Sequence, residues 1–187
     1  WVAKIKKVNK SGIEFQIIKQ IRSKESKKDI WLAFSPIKSN YFNFMIQKAT
    51  ELGVTKFIPI IFERTIVRKI NSERLKKIII EATEQSNRIS LPKLENPMML
   101  QNFFQSYEDK IKLIFTDLNS KQKKISISKF EKKPLCIIVG PEGDFSELER
   151  LEILGFKGVE SIKLNENILR SETAVISALS VINFMIN

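Results

Sequence analysis

The sequence predicts an α/β fold, with a mostly parallel sheet that carries helices on both of its faces. Two observations support this prediction. Short apolar runs with the length of buried strands alternate with longer segments that carry apolar residues at helical spacing. A chain of 187 residues can also bury one good core with a small appendage. Strands that alternate with helices are typical of a parallel sheet, because each crossover between parallel strands needs a long connection.

The first 21 residues have strand-like alternation on both sides of the turn Asn9-Lys10-Ser11-Gly12, which predicts a hairpin. Two strands are not stable alone, so this hairpin needs partners. Residues 22–29 are wholly polar and are interpreted as a linker. The main domain is therefore expected to cover residues 29–187, after a smaller unit at 1–28.

The main domain is expected to open with a buried strand at residues 30–34, followed by a helix at 41–52 that ends at Gly53. Residues 56–62 are strand-like, but Pro59 lacks an N–H group, which favours an edge strand or a bulge. A second amphipathic helix is expected at residues 73–88. These elements begin the predicted alternation.

The next part is predicted to be irregular over residues 92–110, with one short helix, and then to form a strand at 112–116. A basic loop is expected at residues 121–133. The strand at 135–139 leads directly into the turn Gly140-Pro141-Glu142-Gly143. After it, Ser146 and Glu149 have the spacing of a capping box, which predicts the start of a helix.

The turn at residues 140–143 has two glycines that lack Cβ atoms, so its backbone can approach a ligand closely. The spacing matches neither the phosphate-binding loop of NTPases nor the dinucleotide fingerprint. Taken alone, the turn is better interpreted as an ordinary tight turn. A second segment, Leu169-Arg170-Ser171-Glu172-Thr173-Ala174, makes a ligand site the better interpretation.

The two segments together closely resemble the RsmE family of knotted SPOUT methyltransferases. The resemblance extends upstream to residues 47–54, 63–64 and 81–88. It implies methylation of N3 of a uridine in small-subunit (16S) ribosomal RNA, with S-adenosylmethionine as the cofactor. It also implies that residues 1–28 are the last part of a PUA-like RNA-binding β-barrel, and that the chain forms a homodimer.

The resemblance assigns site residues one by one. Arg170 and Glu172 are the candidate catalytic residues. Alternatively, Arg170 pairs with Glu172, which is also well placed as an acid in the first turn of a helix. The residues expected to bind the cofactor are Thr116, Leu118, Gly140, Pro141, Glu142, Gly143, Leu164, Asn165, Ile168, Leu169 and Thr173. Those expected to contact RNA are Arg64, Arg68, Arg88, Lys4 and Lys6.

Three positions depart from the family pattern: Asp144 and Asn165 replace glycines, and Asn167 replaces an arginine. Asp and Asn tolerate left-handed backbone better than other residues with a side chain, so the fold should survive the first two changes. The change at residue 167 puts one contact with RNA or cofactor in doubt.

The net charge of +11 and the pI near 9.7 favour a polyanionic partner such as RNA. A coding bias that spreads lysines over the surface explains the same charge. The sequence has no histidine, which excludes histidine-based acid–base catalysis and argues against a metal site. The single cysteine, Cys136, lies in an apolar strand and is interpreted as a buried thiol.

No apolar run is long enough to span a bilayer and no signal peptide opens the sequence, so a cytoplasmic protein without membrane contact is expected. Residues 174–186 are apolar almost all round, which indicates a helix that is covered on most sides. A homodimer built on this helix accounts for that pattern. A related SPOUT enzyme that acts on a ribose 2′-oxygen or on another RNA, and a non-catalytic RNA-binding assembly factor, remain as alternatives.

Overall fold

A computed structural model describes residues 1–23, 28–122 and 133–186 of the chain. Residues 24–27 of the predicted linker, and 123–132 of the predicted basic loop, lie outside the described residues. Among the described residues, no helix is both long enough and apolar enough to cross a bilayer.

The predicted N-terminal hairpin is confirmed as β1 (Val2–Asn9) and β2 (Gly12–Lys19), which pair antiparallel. Every residue of both strands is exposed, including the large apolar side chains of Ile5 and Phe15. A contact to the main domain is made by Arg22, whose Nη2 donates a 2.9 Å hydrogen bond to Oδ1 of Asn87. The hairpin therefore buries little against the rest of the described chain.

The main sheet is built from parallel strands, as predicted. Its strands are β3 (Ile30–Phe34), β4 (Val54–Ile61), β5 (Lys93–Leu94), β6 (Met98–Met99), β7 (Lys112–Thr116), β8 (Leu135–Val139) and β9 (Glu160–Ile162). They lie in the order β5-β4-β3-β8-β7-β9, and β6 also pairs with β4. All strand pairs described in this sheet are parallel. The strand β8, which precedes the glycine turn, is fully buried near the centre.

Helices cover both faces of the sheet. They are α1 (Ser39–Glu51), α2 (Ser72–Gln85), α3 (Leu100–Tyr107), α4 (Glu147–Leu154) and α5 (Ser171–Ile186). One core cluster joins α1, α2 and α5 to Leu135, Ile137 and Val139 of β8, and a second joins α3 and α4 to Cys136 and Ile138. The alternation of side chains along β8 thus supplies both cores.

One expectation about the strands differs from the structure. Pro59 does not mark an edge or a bulge, because β4 is bordered by β3 on one side and by β5 and β6 on the other. β5 pairs at Lys56 and Phe57 and β6 pairs at Ile60 and Ile61, so Pro59 falls in the gap between them, where a missing N–H is tolerated. The helix α5 begins at Ser171, which places Glu172 in its first turn, as expected.

Candidate cofactor and substrate site

A cavity of about 450 Å³ opens at the carboxyl ends of β7, β8 and β9. Its walls come from three segments: the loop after β7, the turn after β8, and the stretch between β9 and α5. The lining residues are Thr116, Asp117, Leu118, Val139, Gly140, Pro141, Glu142, Gly143, Asp144, Phe145, Ile162, Leu164, Asn165, Asn167, Ile168, Leu169, Arg170, Ser171 and Ala174. Ligands of parallel sheets commonly bind at this edge, outside the carboxyl ends of the strands.

The turn after β8 is shaped by its own phenylalanine. A Cβ atom added to Gly140 would lie 2.6 Å from Cε2 of Phe145, far inside contact distance. The ring of Phe145 in turn packs edge-on against Phe62 and Phe115, with centroid distances of 5.0 and 5.1 Å. Gly140 is therefore needed for the packing of Phe145, in addition to any close approach of its backbone to a ligand.

Asp144 has the left-handed backbone that the sequence predicted it to tolerate, with φ of 60°. Its Oδ1 accepts a 2.8 Å hydrogen bond from the backbone N–H of Phe145. Asn165 is not left-handed; its Oδ1 instead accepts a hydrogen bond of 2.9 Å from the N–H of Asn167, which closes a local turn. Both replacements of glycine are thus accommodated by side-chain hydrogen bonds to backbone.

The predicted capping box is present: Ser146 accepts from the N–H of Glu149, and Oε2 of Glu149 accepts from the N–H of Ser146 at 3.0 Å. The second oxygen of the buried Glu149 carboxylate accepts a 2.7 Å hydrogen bond from the N–H of Glu63. Nearby, Nη1 of Arg64 donates to the carbonyl oxygen of Gly143 at 3.0 Å. These contacts fasten the loop after β4 to the outer side of the glycine turn.

The wall after β7 is held by an ion pair that the sequence analysis missed. Nε and Nη2 of Arg150, on α4, donate to the two oxygens of Asp117 at 3.1 and 2.9 Å. The Asp117 residue is only 4% exposed. The hydrogen bond to Asp117 is the main cause that raises the pKa of the Arg150 guanidinium above its ordinary value.

The two candidate catalytic residues have different surroundings. Arg170 is exposed and lines the cavity, and its guanidinium carbon lies 5.4 Å from the centre of the Tyr41 ring, on α1. Glu172 is buried, with 8% exposure, in the first turn of α5, and it does not line the cavity. The alternative that Arg170 pairs with Glu172 is not seen among the described ion pairs.

The residues that the sequence analysis assigned to a cofactor come together in this cavity, except Thr173. That residue is exposed on the first turn of α5 and is not part of the lining. Asp117 and Ser171 also line the cavity; they lie in the loop after β7 and in the second motif, both of which the family resemblance places at the site, although neither was expected as a cofactor contact. Phe145 and Ile162 were not expected there, because they belong to apolar patterns that give no separate signal. Among the described residues no cluster of side chains suited to a metal ion occurs.

The residues predicted to contact RNA divide into two groups. Lys4, Lys6, Arg64 and Arg68 are exposed, and Arg68 also donates a 3.1 Å hydrogen bond to the carbonyl oxygen of Glu63. Arg88 also has an internal structural role, because its Nη1 donates at 2.8 Å to the carbonyl oxygens of both Thr50 and Val54. This guanidinium ties the end of α1 to the start of β4, and its contact with RNA stays a prediction.

Comparisons with known proteins agree with this architecture. The family described as an RNA methyltransferase domain matches residues 24–183. Ribosomal RNA small subunit methyltransferase E of Rickettsia conorii is 32% identical over 188 residues, which cover 99% of this chain and 76% of that protein. The protein of the same name from Aquifex aeolicus is 34% identical, over 97% of this chain and 80% of its own length.

Two solved structures of similar proteins contain S-adenosylmethionine. The crystal structure of ribosomal RNA small subunit methyltransferase E from Neisseria gonorrhoeae, bound to S-adenosylmethionine, is 28% identical, with a TM-score of 0.88. It matches 98% of this chain and 77% of that one. A methyltransferase from Legionella pneumophila, solved with the same cofactor, is 32% identical, with a TM-score of 0.84. The match covers 98% of this chain and 77% of that one.

Proposed function

Because the chain belongs to the ribosomal RNA small subunit methyltransferase E family, we propose that it methylates N3 of a uridine in 16S ribosomal RNA, with S-adenosylmethionine as the methyl donor. The observation that carries this proposal is the cavity formed by the glycine turn together with the segment that leads into α5. The two sequence motifs, at residues 140–143 and 169–174, are separated by residues 144–168, yet both line the same cavity.

The lining suits a nucleoside-containing cofactor. A volume of about 450 Å³ lies within the range of pockets that hold molecules of drug or cofactor size. The apolar side chains of Leu118, Leu164, Ile168 and Leu169 provide surfaces for a flat purine, and the turn at 140–143 offers backbone groups to the polar atoms. When bound, the cofactor supplies an electrophilic methyl group on a sulfonium sulfur.

The residues of the chain then have to orient the acceptor and stabilise its charge. The N3 atom of uracil must lose a proton before or while it attacks carbon, and the resulting charge spreads over the imide. We propose that the Arg170 guanidinium stabilises this anion, because it is the cationic group that lines the cavity in the described part of the chain. Preorganised charge of this kind commonly supplies a large share of an enzyme's rate enhancement.

Glu172 is proposed as the group that accepts the N3 proton. Because Glu172 is buried and does not line the cavity, we propose that the proton reaches its carboxylate through a water molecule and not by direct contact with the uracil. Its place in the first turn of α5 also gives it a structural function, since a carboxylate is stabilised there by the helix dipole. The substitution Glu172→Gln separates the two functions, because it removes the charge but keeps the size of the side chain.

The contacts with RNA are proposed from the exposed basic residues of the chain. The exposed residues Lys4, Lys6, Arg64 and Arg68 can contact phosphates of the ribosomal RNA, and a cytoplasmic location follows from that substrate.

The helix α5 exposes Val181, Phe184 and Met185, with Phe184 87% exposed. We propose that this apolar face pairs with a second copy of the chain to form a homodimer.

Methylation of undermethylated small ribosomal subunits tests the function directly. The protein, the subunits and S-adenosylmethionine with a labelled methyl group are incubated without added metal, and the digested RNA is separated into nucleosides. We expect label in N3-methyluridine. Label in a 2′-O-methylated nucleoside, or no label together with undetectable cofactor binding by calorimetry, would contradict the proposal.

A further inference from the structure

The cofactor cavity contains a buried carboxylate whose hydrogen bonds all go to the protein. Oδ2 of Asp117 accepts from Nη2 of Arg150 at 2.9 Å, and Oδ1 accepts from Nε of Arg150 at 3.1 Å and from the N–H of Asn119 at 2.9 Å. A carboxylate with these three donors is well satisfied. Asp117 is therefore better suited to shape the cavity than to bind a ligand itself.

The backbone of Asp117 fixes the same loop at two further points. Its N–H donates to the carbonyl oxygen of Ile162, at the end of β9, and its carbonyl accepts from the N–H of Ser120. The hydroxyl of Ser120 lies 3.0 Å from that of Ser161. Leu118, which lines the cavity, is thus held in a short loop whose conformation depends on Asp117.

Arg150 comes from a different wall of the site. It lies on α4, which follows the glycine turn, and the N–H of Arg150 donates to the carbonyl oxygen of Ser146. The two parallel hydrogen bonds from one guanidinium fix orientation as well as distance, which a lysine cannot do. The pair therefore joins the loop after β7 to the helix after the glycine turn.

We propose that Arg150 is a cofactor-positioning residue, an inference that rests on the proposed function. Arg150 acts through Asp117, whose loop contains Leu118. The pair thus holds Leu118 and the glycine turn at the distance from each other that S-adenosylmethionine requires. Arg150 itself is not among the lining residues, so the effect is indirect. Removing the guanidinium would leave the Asp117 carboxylate buried without its main partner, which favours rearrangement of the loop. Cofactor affinity should suffer, whereas the methyl-transfer step at saturating cofactor should not.

The test compares Arg150→Met, Arg150→Lys and Asp117→Asn with the unmutated protein. Calorimetry gives the Kd for S-adenosylmethionine, and methylation of small ribosomal subunits at saturating cofactor gives kcat. We expect Arg150→Met to raise Kd about tenfold or more, the scale of a lost hydrogen bond to a charged group, with kcat nearly unchanged. Arg150→Lys should restore part of the affinity, and combining Arg150→Met with Asp117→Asn should add little to the single effect.

Glu147→Gln is the matched control, because Glu147 also forms an ion pair with Arg150, at 3.7 Å, but its side chain is 75% exposed. Its Kd should remain that of the unmutated protein. Unchanged Kd in all the Arg150 and Asp117 variants, with only a lower free energy of unfolding, would overturn the inference and leave the pair a purely structural contact. If Arg150→Met does not fold, Arg150→Lys and Asp117→Asn decide the question alone. Failure of the proposed function would be visible separately, as absence of cofactor binding by the unmutated protein.

Discussion

The hydroxyl of Ser171 donates a 2.9 Å hydrogen bond to the carbonyl oxygen of Gly140, and both residues are buried. This contact joins the first residue of α5 to the first residue of the turn after β8. It closes the cavity at the point where its two main walls meet. The two sequence motifs that carried the family resemblance are thus in direct contact.

The two glycines of the turn should respond differently to the addition of one methyl group. Gly140→Ala places a Cβ 2.6 Å from the Phe145 ring, which must then move, so we expect a loss of roughly 1–3 kcal/mol in the free energy of unfolding and weaker cofactor binding. Gly143→Ala is the control, since its Cβ would lie 3.5 Å from Cβ of Arg64, an ordinary contact. Thermal denaturation and calorimetry measure both effects, and equal behaviour of the two variants would show that Phe145 does not determine the shape of the turn.

Much of this fold could be predicted from local patterns. The strand at residues 135–139 is fully buried, as its uninterrupted apolar run indicates, and the capping box at Ser146 and Glu149 is formed as its spacing predicts. The buried face of α1, with Phe42, Met45 and Ala49, also follows its helical periodicity. Local propensity and local hydrogen bonds decide these features, so a single sequence contains enough information.

Other features depend on contacts between segments that are distant in the chain, and such contacts cannot be inferred from the local patterns of a single sequence. Arg88 was expected at an RNA surface, yet it satisfies carbonyl groups of Thr50 and Val54, more than 30 residues away. The ion pair of Asp117 and Arg150 likewise joins residues 33 positions apart. The knot implied by the family resemblance is a property of the whole chain path, for which no local pattern exists.

The only cysteine of the sequence should be unreactive in the folded protein. Burial raises the pKa of the Cys136 thiol above its ordinary value, and the thiolate is the reactive form. We expect no alkylation by iodoacetamide in native protein at mildly alkaline pH, and complete alkylation in denaturant, as measured by intact mass. Fast labelling of the native protein would mean that the strand β8 opens frequently.

The proposed dimer face can be tested by a charge in its centre. Phe184 is 87% exposed on α5, and Phe184→Glu would place a carboxylate in an apolar interface without a partner, which is strongly unfavourable. We expect analytical ultracentrifugation to show a dimer for the unmutated protein and a monomer for this variant. Leu148→Glu, at an apolar residue 72% exposed on α4, should remain dimeric. A monomeric unmutated protein at micromolar concentrations would rule out the interface.

Electrostatic attraction to RNA should make binding depend on salt. If the exposed basic residues contact phosphates, the association constant should fall by roughly one decade per decade of salt for each phosphate neutralised. Lys4→Gln and Lys6→Gln test the hairpin, and Arg64→Gln and Arg68→Gln test the loop after β4; each should reduce the slope. Filter binding to a fragment of small-subunit RNA over a series of salt concentrations measures it. A flat response would assign the +11 charge to coding bias alone.

The catalytic roles proposed for Arg170 and Glu172 predict different losses of rate. Arg170→Ala removes the cation proposed to stabilise the uracil anion, so the single-turnover methylation rate should fall by about 10²- to 10³-fold. Arg170→Lys should recover only part of that rate, because a point charge replaces a planar group that also lies against Tyr41. Since the same side chain is proposed to contact the uracil of the RNA, productive binding of the subunit should weaken as well.

Glu172→Gln removes the proposed proton acceptor but keeps the size of the side chain. Loss of a positioned base commonly costs about 10²- to 10⁴-fold in rate, so single-turnover methylation should slow within that range while the Kd for S-adenosylmethionine stays nearly the same. Thermal denaturation of the same variant separates the structural function of this buried residue from the chemical one. If Glu172→Gln transfers methyl groups at the normal rate, with or without a loss of stability, Glu172 is not the base. Deprotonation of N3 would then rely on solvent and on the positive charge of Arg170.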